Sequence, residues 1–146
     1  MNPNSQRLLN LSINQRTVLV TVDMLRAVLG VDADSINARV DAGEFRWVWN
    51  VSAGAGEVRE LRFWAREVIA PEQCAKLSLP LALNLILGLE RLHWRGTEIA
   101  HLLLVSRPQI FRLHEAGELP GEIVGHTLRV TRAAVVHFLT QRLVTA

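Results

Sequence analysis

The chain has 146 residues, of which 49% are hydrophobic, with a formal net charge of +2 and a sequence pI near 9.5. This composition is globular rather than disordered, and the length allows one ordinary core or two small ones. The one cysteine excludes a disulfide within the chain and a cysteine-based zinc cluster, and the weakly basic charge does not by itself indicate a nucleic-acid ligand.

Residues 1–16 are polar and lack the basic-then-apolar order of a signal peptide, so we expect a flexible or partner-dependent tail. The most apolar run, residues 77–92, is interrupted by polar side chains and is too short to span a bilayer. The sequence therefore predicts a soluble, cytoplasmic protein that makes no contact with a membrane.

A first unit, residues 17–72, is predicted to contain two helices followed by a long β-hairpin. The second of these helices begins with Asp32 and Asp34, whose carboxylates suit the positive end of the helix dipole but would repel DNA phosphates. Because only Asn37 and Arg39 could assist DNA binding here, we do not expect this helix to read bases in the usual way.

Alternating apolar residues at 45–51 and 58–64 predict the two strands of this hairpin, joined by a flexible tip rich in glycine and alanine. Arginines border both strands, at Arg46, Arg59, Arg62 and Arg66, and the first three are candidates for holding phosphates. The hairpin is therefore the part of the first unit with the most positive charge.

Three tryptophans also lie in this hairpin, at Trp47, Trp49 and Trp64. We expect most of them to fill the core of a small domain, because aromatic side chains dominate such cores. Alternating strands cannot turn every one of them inward, so at least one should be partly exposed or lie between the two units. The alternative is an aromatic surface for DNA or for a protein partner.

Residues 73–94 are predicted to form a connector helix, in which Leu81, Leu85, Leu89 and Leu92 lie on one stripe. Further apolar residues lie on its other faces, and a helix that is apolar nearly all round must be buried. We expect it to pack between the two units, with a homodimer seam as the alternative.

A second unit, residues 95–146, again begins with two helices. Thr97 is the expected N-cap of the first helix, as Asp23 is in the first unit, and Ser106 caps the second. Ile110 and Leu113 of the second helix should face inward. Three residues of this helix should then face outward, and all three suit contact with the major groove of DNA: Arg107, Gln109 and Arg112.

The second unit ends in a short β-hairpin and a helix. A turn at Gly125-His126 joins the hairpin strands, with Arg129 pointing outward from the return strand. Thr131 is then placed to cap the last helix.

The two units are copies of one module, because residues 29–45 return without gaps as residues 103–119, shifted by 74. Leu, Val, Ile and an Ala-Gly-Glu triplet coincide, and Gly43 and Gly117 end the second helix of each copy. After the hairpin the shift falls to 67, so the first hairpin is longer by seven residues.

The second unit resembles the excisionase-like, MerR-type winged helix-turn-helix family over about a third of the chain. The matching residues are Val105-Ser106-Arg107, Ile110-Phe111-Arg112-Leu113, Gly117-Glu118-Leu119-Pro120, Val124-Gly125, Leu128-Arg129-Val130, Ala134-Val135 and Phe138-Leu139. The resemblance implies that the second helix enters a DNA groove and that the hairpin, or wing, contacts phosphates. His126 and Thr127 stand where such wings often carry basic residues.

Nothing in the sequence indicates catalysis. The five histidines have no metal-ligand spacing, and the glycine-rich segment near residue 55 lacks the lysine and the strand-to-helix context of a phosphate loop. We therefore expect a protein that is not an enzyme and that binds no cofactor or metal.

The sequence thus predicts a mainly α protein with small β-hairpin wings, built from two tandem winged helix-turn-helix modules. Its expected partner is double-stranded DNA, as a transcriptional regulator or an excisionase-like architectural factor; the alternative is a protein-interaction adaptor that kept the fold. The candidate DNA-binding residues are Ser106, Arg107, Gln109, Phe111, Arg112, His126, Arg129, Arg132, Asn37, Arg39, Arg46, Arg59 and Arg62.

Overall fold

The computed structural model describes residues 17–53 and 58–144. Its elements form two units with the same order, strand–helix–helix–strand–strand–helix. The first unit consists of β1 (Leu19–Thr21), α1 (Val22–Leu29), α2 (Ala33–Asp41), β2 (Val48–Asn50), β3 (Leu61–Trp64) and α3 (Ala65–Ile69). Helices α4 (Pro71–Cys74) and α5 (Leu79–Leu87) form the connector. The second unit consists of β4 (His93–Arg95), α6 (Gly96–Leu103), α7 (Arg107–Glu115), β5 (Glu122–Val124), β6 (Thr127–Thr131) and α8 (Arg132–Arg142).

The elements recur at the two shifts that the sequence shows. Helices α1 and α2 of the first unit lie 74 residues before α6 and α7, whereas α3 lies 67 residues before α8. Gly43 and Gly117 both have φ +78°, a left-handed conformation that suits glycine after a helix end. The residues added to the first copy therefore lie between β2 and β3.

The prediction of a mainly α protein is wrong, because 51% of the described residues are helical and 18% are in strands. Each unit has a three-stranded antiparallel sheet, in the orders β1-β3-β2 and β4-β6-β5. The sequence did not predict strands β1 and β4. Each pairs with the return strand of the hairpin in its own unit, at the edge that the other hairpin strand does not occupy. That pairing supplies partners for backbone groups at that edge.

The first helix of each unit starts earlier than predicted. Thr21, not Asp23, caps α1, and its Oγ1 accepts the backbone N–H of Met24 at 3.1 Å. Helix α6 begins at Gly96 rather than after Thr97. The predicted caps Ser106 and Thr131 are confirmed at α7 and α8.

The strands of the first hairpin are shorter than the alternation predicts. At one end, the buried carboxylate of Glu67 accepts the backbone N–H groups of Arg46 and Trp47, at 2.9 and 3.1 Å. At the other end, Oδ1 of Asn50 accepts the N–H groups of Ser52 and Glu60. Side-chain acceptors thus supplement the backbone hydrogen bonds at both ends of the hairpin.

The sheet of the first unit is buried on both faces. Leu61 and Phe63 of β3 pack with the helices of their own unit. The other face carries Trp47, Trp49 and Trp64 into a second core, which also contains residues of α5 and of the second unit. All three tryptophans are therefore buried, and they lie in the core that the two units share.

The chain end of the second unit extends the first sheet. Trp49 of β2 forms an isolated β-bridge with Leu143, and the backbone N–H of Val144 donates to the carbonyl of Val48 at 2.8 Å. Arg142 donates to the carbonyls of Asn50 and Ser52 at 3.1 and 2.8 Å. The edge of β2 is consequently covered by the second unit.

The connector is not one helix over residues 73–94, because α4 and α5 are separate and His93 already belongs to strand β4. Helix α5 buries four side chains: Ala82, Leu83, Ile86 and Leu87. The opposite stripe, which we expected to pack between the units, is exposed: Leu81 by 48%, Leu85 by 47%, Leu89 by 78% and Leu92 by 62%. The expected burial of this stripe is therefore wrong.

Candidate nucleic-acid interface

Helix α7 is the element that the sequence predicts as the DNA reader, and local interactions fix its position. The hydroxyl Oγ of Ser106 accepts the backbone N–H of Gln109 at 3.3 Å, which satisfies one of the free donors at the helix start. Ile110 and Leu113 are fully buried. One face of α7 is thereby anchored in the core of the second unit.

The opposite face of α7 is open and carries two arginines and one carboxylate, Glu115, so its net charge is positive. Arg107 and Arg112 are both exposed, as predicted. Phe111 is half-buried at the margin of this face, and the guanidinium of Arg107 lies 5.6 Å from the centroid of its ring. The stacking holds Arg107 close to the helix surface while leaving its N–H donors available.

Gln109 does not face outward, which corrects the sequence prediction. Its side chain amide donates to the carbonyl of Val51 at 2.8 Å and lies 3.4 Å from a carboxylate oxygen of Glu60, and the residue is only 6% exposed. Position 109 flanks the buried stripe of α7, and the hairpin of the first unit covers that flank. Gln109 therefore joins the two units instead of offering a base contact.

Arg62 is also buried, at 7% exposure, although the sequence suggests a phosphate contact. Its Nε and Nη2 donate to the carbonyls of Leu103 and Leu104, at 2.7 and 2.8 Å. The cation thus satisfies free carbonyls at the C-terminal end of α6, where positive charge is favoured. Burial lowers the pKa of the Arg62 guanidinium, and the nearby charge of Glu60 opposes that shift.

Other arginines that the sequence assigned to DNA binding have partners within the protein. Arg39 donates to Glu44, Arg46 to the carbonyls of Ala75 and Leu77, Arg59 to Asn37 and Asp41, and Arg132 to the carbonyls of Gly88 and Arg91. Each contact fixes a loop or a helix end. These internal contacts already occupy part of each guanidinium, so a phosphate would compete with an internal acceptor for the cation.

The second unit also exposes cations on its sheet. Arg129 of β6 is exposed as predicted, and Arg95 lies directly opposite it on β4. Within residues 17–53 and 58–144, no ion pair involves Arg95, Arg107, Arg112 or Arg129. Sequence reading missed Arg95, because strand β4, whose alternation would have pointed it outward, was not predicted.

The wing of the second unit is formed as expected. Strands β5 and β6 flank Gly125 and His126, and Gly125 has φ +64°. His126 and Thr127 are both exposed at or beside the turn. The tip can therefore approach a ligand, but it carries no arginine or lysine.

The corresponding helix of the first unit, α2, has a different surface. The carboxylate of Asp32 accepts the backbone N–H of Ser35 at 2.7 Å, and this hydrogen bond lowers the pKa of the Asp32 carboxyl. Asp34 is exposed beside it. Asn37 is held by its contacts with Ala33 and Arg59, so α2 presents carboxylates and no unpaired cation.

A cavity of about 380 Å³ lies between β1, α5 and α6 and is lined in part by Val18, Trp94, Glu98 and His101.

Across the described parts of the chain, no three His, Cys, Asp or Glu side chains come together in a way that could hold a metal ion. No described helix has the length and apolar character needed to cross a membrane.

No protein-family model, curated protein or solved structure matches the chain. The functional interpretation therefore depends on the residues described above. The candidate surface consists of the exposed arginines of α7 together with Arg95 and Arg129 on the sheet of the same unit.

Proposed function

We propose that this protein binds double-stranded DNA in the cytoplasm, as a transcriptional regulator or an excisionase-like architectural factor, and that both units are winged helix-turn-helix modules. The observation that carries the proposal is a set of exposed arginines on the second unit that form no ion pair with any described residue: Arg95, Arg107, Arg112 and Arg129. Arginine suits both phosphate oxygens and the major-groove edge of guanine.

Helix α7 is the element that enters the major groove. Arg107 and Arg112 lie five residues apart, which corresponds to about 7.5 Å along the helix and about 140° around it. Their side chains would therefore reach the two walls of the groove, with Pro108 and Phe111 between them. One of them reads a guanine, and the other can hold a phosphate.

The wing supplies the second contact. The Gly125-His126 tip would lie against the adjacent backbone, with Arg129 and Arg95 near phosphates. Since the tip itself has no arginine or lysine, we expect the wing to add less affinity than α7 does.

The first unit holds the recognition helix α7 in place instead of contacting DNA bases itself. Gln109 ties α7 to the hairpin of the first unit, and Arg62 holds the end of α6. These contacts make the orientation of α7 dependent on the first unit. A rigid reader loses less conformational entropy on binding than a mobile one does.

A protein-interaction adaptor is the second candidate function. The exposed carboxylate of Asp34 and the absence of an unpaired cation on α2 favour a partner other than DNA for the first unit. An adaptor would not need the arginines of α7, so DNA binding separates the two candidates.

The experiment is a salt titration in which fluorescence anisotropy measures binding to labelled random and genomic DNA duplexes. We expect affinity to fall steeply with salt. Of Arg107→Ala and Arg112→Ala, the variant that removes the phosphate contact should reduce the log–log slope by about one, and the variant that removes the guanine contact should lower the preference for a specific site. The matched control is Arg66→Ala, which removes an equal charge from an exposed site on α3.

Two results would contradict DNA binding through α7. One is the absence of binding by the wild type even at low salt, which would leave the adaptor as the function. The other is an equal loss of affinity in Arg66→Ala and in the α7 variants, which would reduce the effect to net charge.

A further inference from the structure

Four leucines of the connector form an exposed apolar surface, which we call the leucine surface: Leu81, Leu85, Leu89 and Leu92. Two of them lie four residues apart on α5 and therefore share one face of that helix. The other two follow in the segment between α5 and β4. Internal packing leaves between 47% and 78% of each of these residues exposed to water.

The area of this surface is large for a small monomer. From their exposed fractions, the four side chains present roughly 400 Å² of apolar area, which is within the range of the largest patch on a typical monomer and is often functional. Two such surfaces face to face would remove about 800 Å² from water, which is below the roughly 1,200 Å² of specific, stable interfaces and in the range of weak, transient ones. The area therefore fits a weak dimer and not a permanent one.

The chemistry of α5 favours a copy of itself as the occupant. The helix sequence LPLALNLIL contains no charged residue, and the segment between Leu89 and Leu92 carries one acid and one base, so the leucine surface has no net charge that would select an acidic or a basic partner. In a two-fold arrangement with antiparallel helices, Leu81 of one copy meets Leu85 of the other, and the ridges formed by residues four apart interlock. A surface that is mainly apolar and has no net charge can be complementary to itself.

We propose that two copies of this chain associate through the leucine surface to form a weak, two-fold symmetric dimer. The dissociation constant expected for a contact of this size is on the order of micromolar. Dimerisation does not depend on DNA binding. If the proposed function also holds, the dimer presents two copies of α7 and predicts a DNA site with two related halves.

The test is the mass in solution, measured by sedimentation velocity from low micromolar to high micromolar concentrations of the full chain. We expect the mass to rise from 16.3 kDa toward twice that value. Leu85→Glu and Leu89→Glu should each weaken self-association at least tenfold. Ile123→Glu places the same charge on another exposed apolar residue and should leave the mass unchanged.

A covalent test avoids the assumption that the charged variants fold. When Leu81→Cys and Leu85→Cys chains are mixed in equal amounts, oxidation should join them by a disulfide, because Leu81 of one copy faces Leu85 of the other. A mass of one chain at every concentration, without cross-linking in this mixture, would overturn the proposal. So would an Ile123→Glu variant that dissociates as readily as Leu85→Glu does.

Residues 1–16 of the same chain are the competing occupant, since they include Leu8, Leu9 and Leu11. In that case the protein stays monomeric, and Leu8→Ser/Leu9→Ser increases binding of an apolar dye while Leu85→Glu has no effect on mass. That outcome also overturns the dimer.

Discussion

At the scale of single residues, Arg62 links the return strand of the first unit to the end of α6 in the second. Its position corresponds to Arg129 of the second unit, 67 residues later, which is exposed. The same residue type at equivalent positions thus serves an internal contact in one copy and faces solvent in the other. The difference arises because only the first sheet is covered by a neighbouring unit.

We predict that Arg62→Met destabilises the protein by about 1.5–3 kcal/mol, the range for a hydrogen bond to a charged group, because it leaves the carbonyls of Leu103 and Leu104 without their donor. Arg129→Met is the matched control and should change the free energy of unfolding by less than about 0.5 kcal/mol. Urea denaturation measures both. Equal effects of the two variants would show that Arg62 does not join the units.

A second prediction concerns the buried carboxyl of Glu67, whose pKa is raised by burial and lowered in part by the N–H groups of Trp47 and Arg46. Because its folded-state pKa lies above its unfolded value, its contribution to stability is fully present below the unfolded pKa and is lost as pH rises through the folded pKa. Glu67→Gln should therefore flatten the fall in unfolding free energy as the pH rises above the unfolded pKa of a glutamate, about 4.3.

Glu98 provides the control of opposite sign. The backbone N–H of Arg95, and next the Arg91 side chain, lower the pKa of its carboxyl, so its contribution is present above the unfolded pKa and is lost as pH falls. Glu98→Gln should weaken the protein at neutral pH and have little effect in acid. A Glu67→Gln variant with the pH profile of Glu98→Gln would contradict the assignment.

At the scale of elements, the two copies end their first helices differently. Helix α1 ends at Gly30 with φ +69°, whereas α6 ends at Leu104 with φ +55°. Leu104 is the one residue other than glycine with a positive φ in the described ranges. The left-handed conformation is costly for a residue with a Cβ, and the hydrogen bond from Arg62 to the Leu104 carbonyl helps to hold it.

We predict that Leu104→Gly is more stable than Leu104→Ala by about 1 kcal/mol, because only glycine adopts this conformation without strain. In an ordinary helix the order is reversed, since alanine is the better helix former. Gly30→Ala should cost a similar amount, as nothing lies within 4 Å of an added Cβ and the penalty is purely conformational. Thermal unfolding monitored by circular dichroism ranks the variants, and an alanine variant at 104 that exceeds the glycine variant would refute the strain.

Much of the element structure could be predicted from the sequence. The caps at Ser106 and Thr131 and the turn at Gly125 were confirmed, because they depend on residues within one turn of each other. Strands β1 and β4 were missed. Each has three residues and becomes a strand only because an unpaired edge of β3 or β6 lies beside it.

At the scale of the whole molecule, the units share one core. Trp47, Trp49 and Trp64 of the first unit belong to the same cluster as Phe138 and Leu139 of the second. The C-terminal residues also pair with β2. Neither unit can therefore expose its half of this core without a large loss of buried apolar area.

We predict a single cooperative unfolding transition, with coincident curves from tryptophan fluorescence and far-ultraviolet circular dichroism. Trp49→Ala should destabilise the protein by about 3–5 kcal/mol and still leave one transition, because the lost side chain is fully buried between the units. Val58→Ala, at a residue that is 89% exposed, should have little effect. Two separate transitions in the wild type would contradict a shared core.

The sequence by itself determined the duplication, the pair of helices that opens each unit, the caps at Ser106 and Thr131 and the exposed arginines of α7, because each depends on periodicity or on contacts within a few residues. Only the tertiary structure decided the roles of Arg62 and Gln109, whose hydrogen bonds join residues 41 and 58 positions apart. It also decided which stripe of α5 is buried. An apolar or polar side chain encodes a preference for its surroundings, but the surroundings themselves exist only once the two units have packed together.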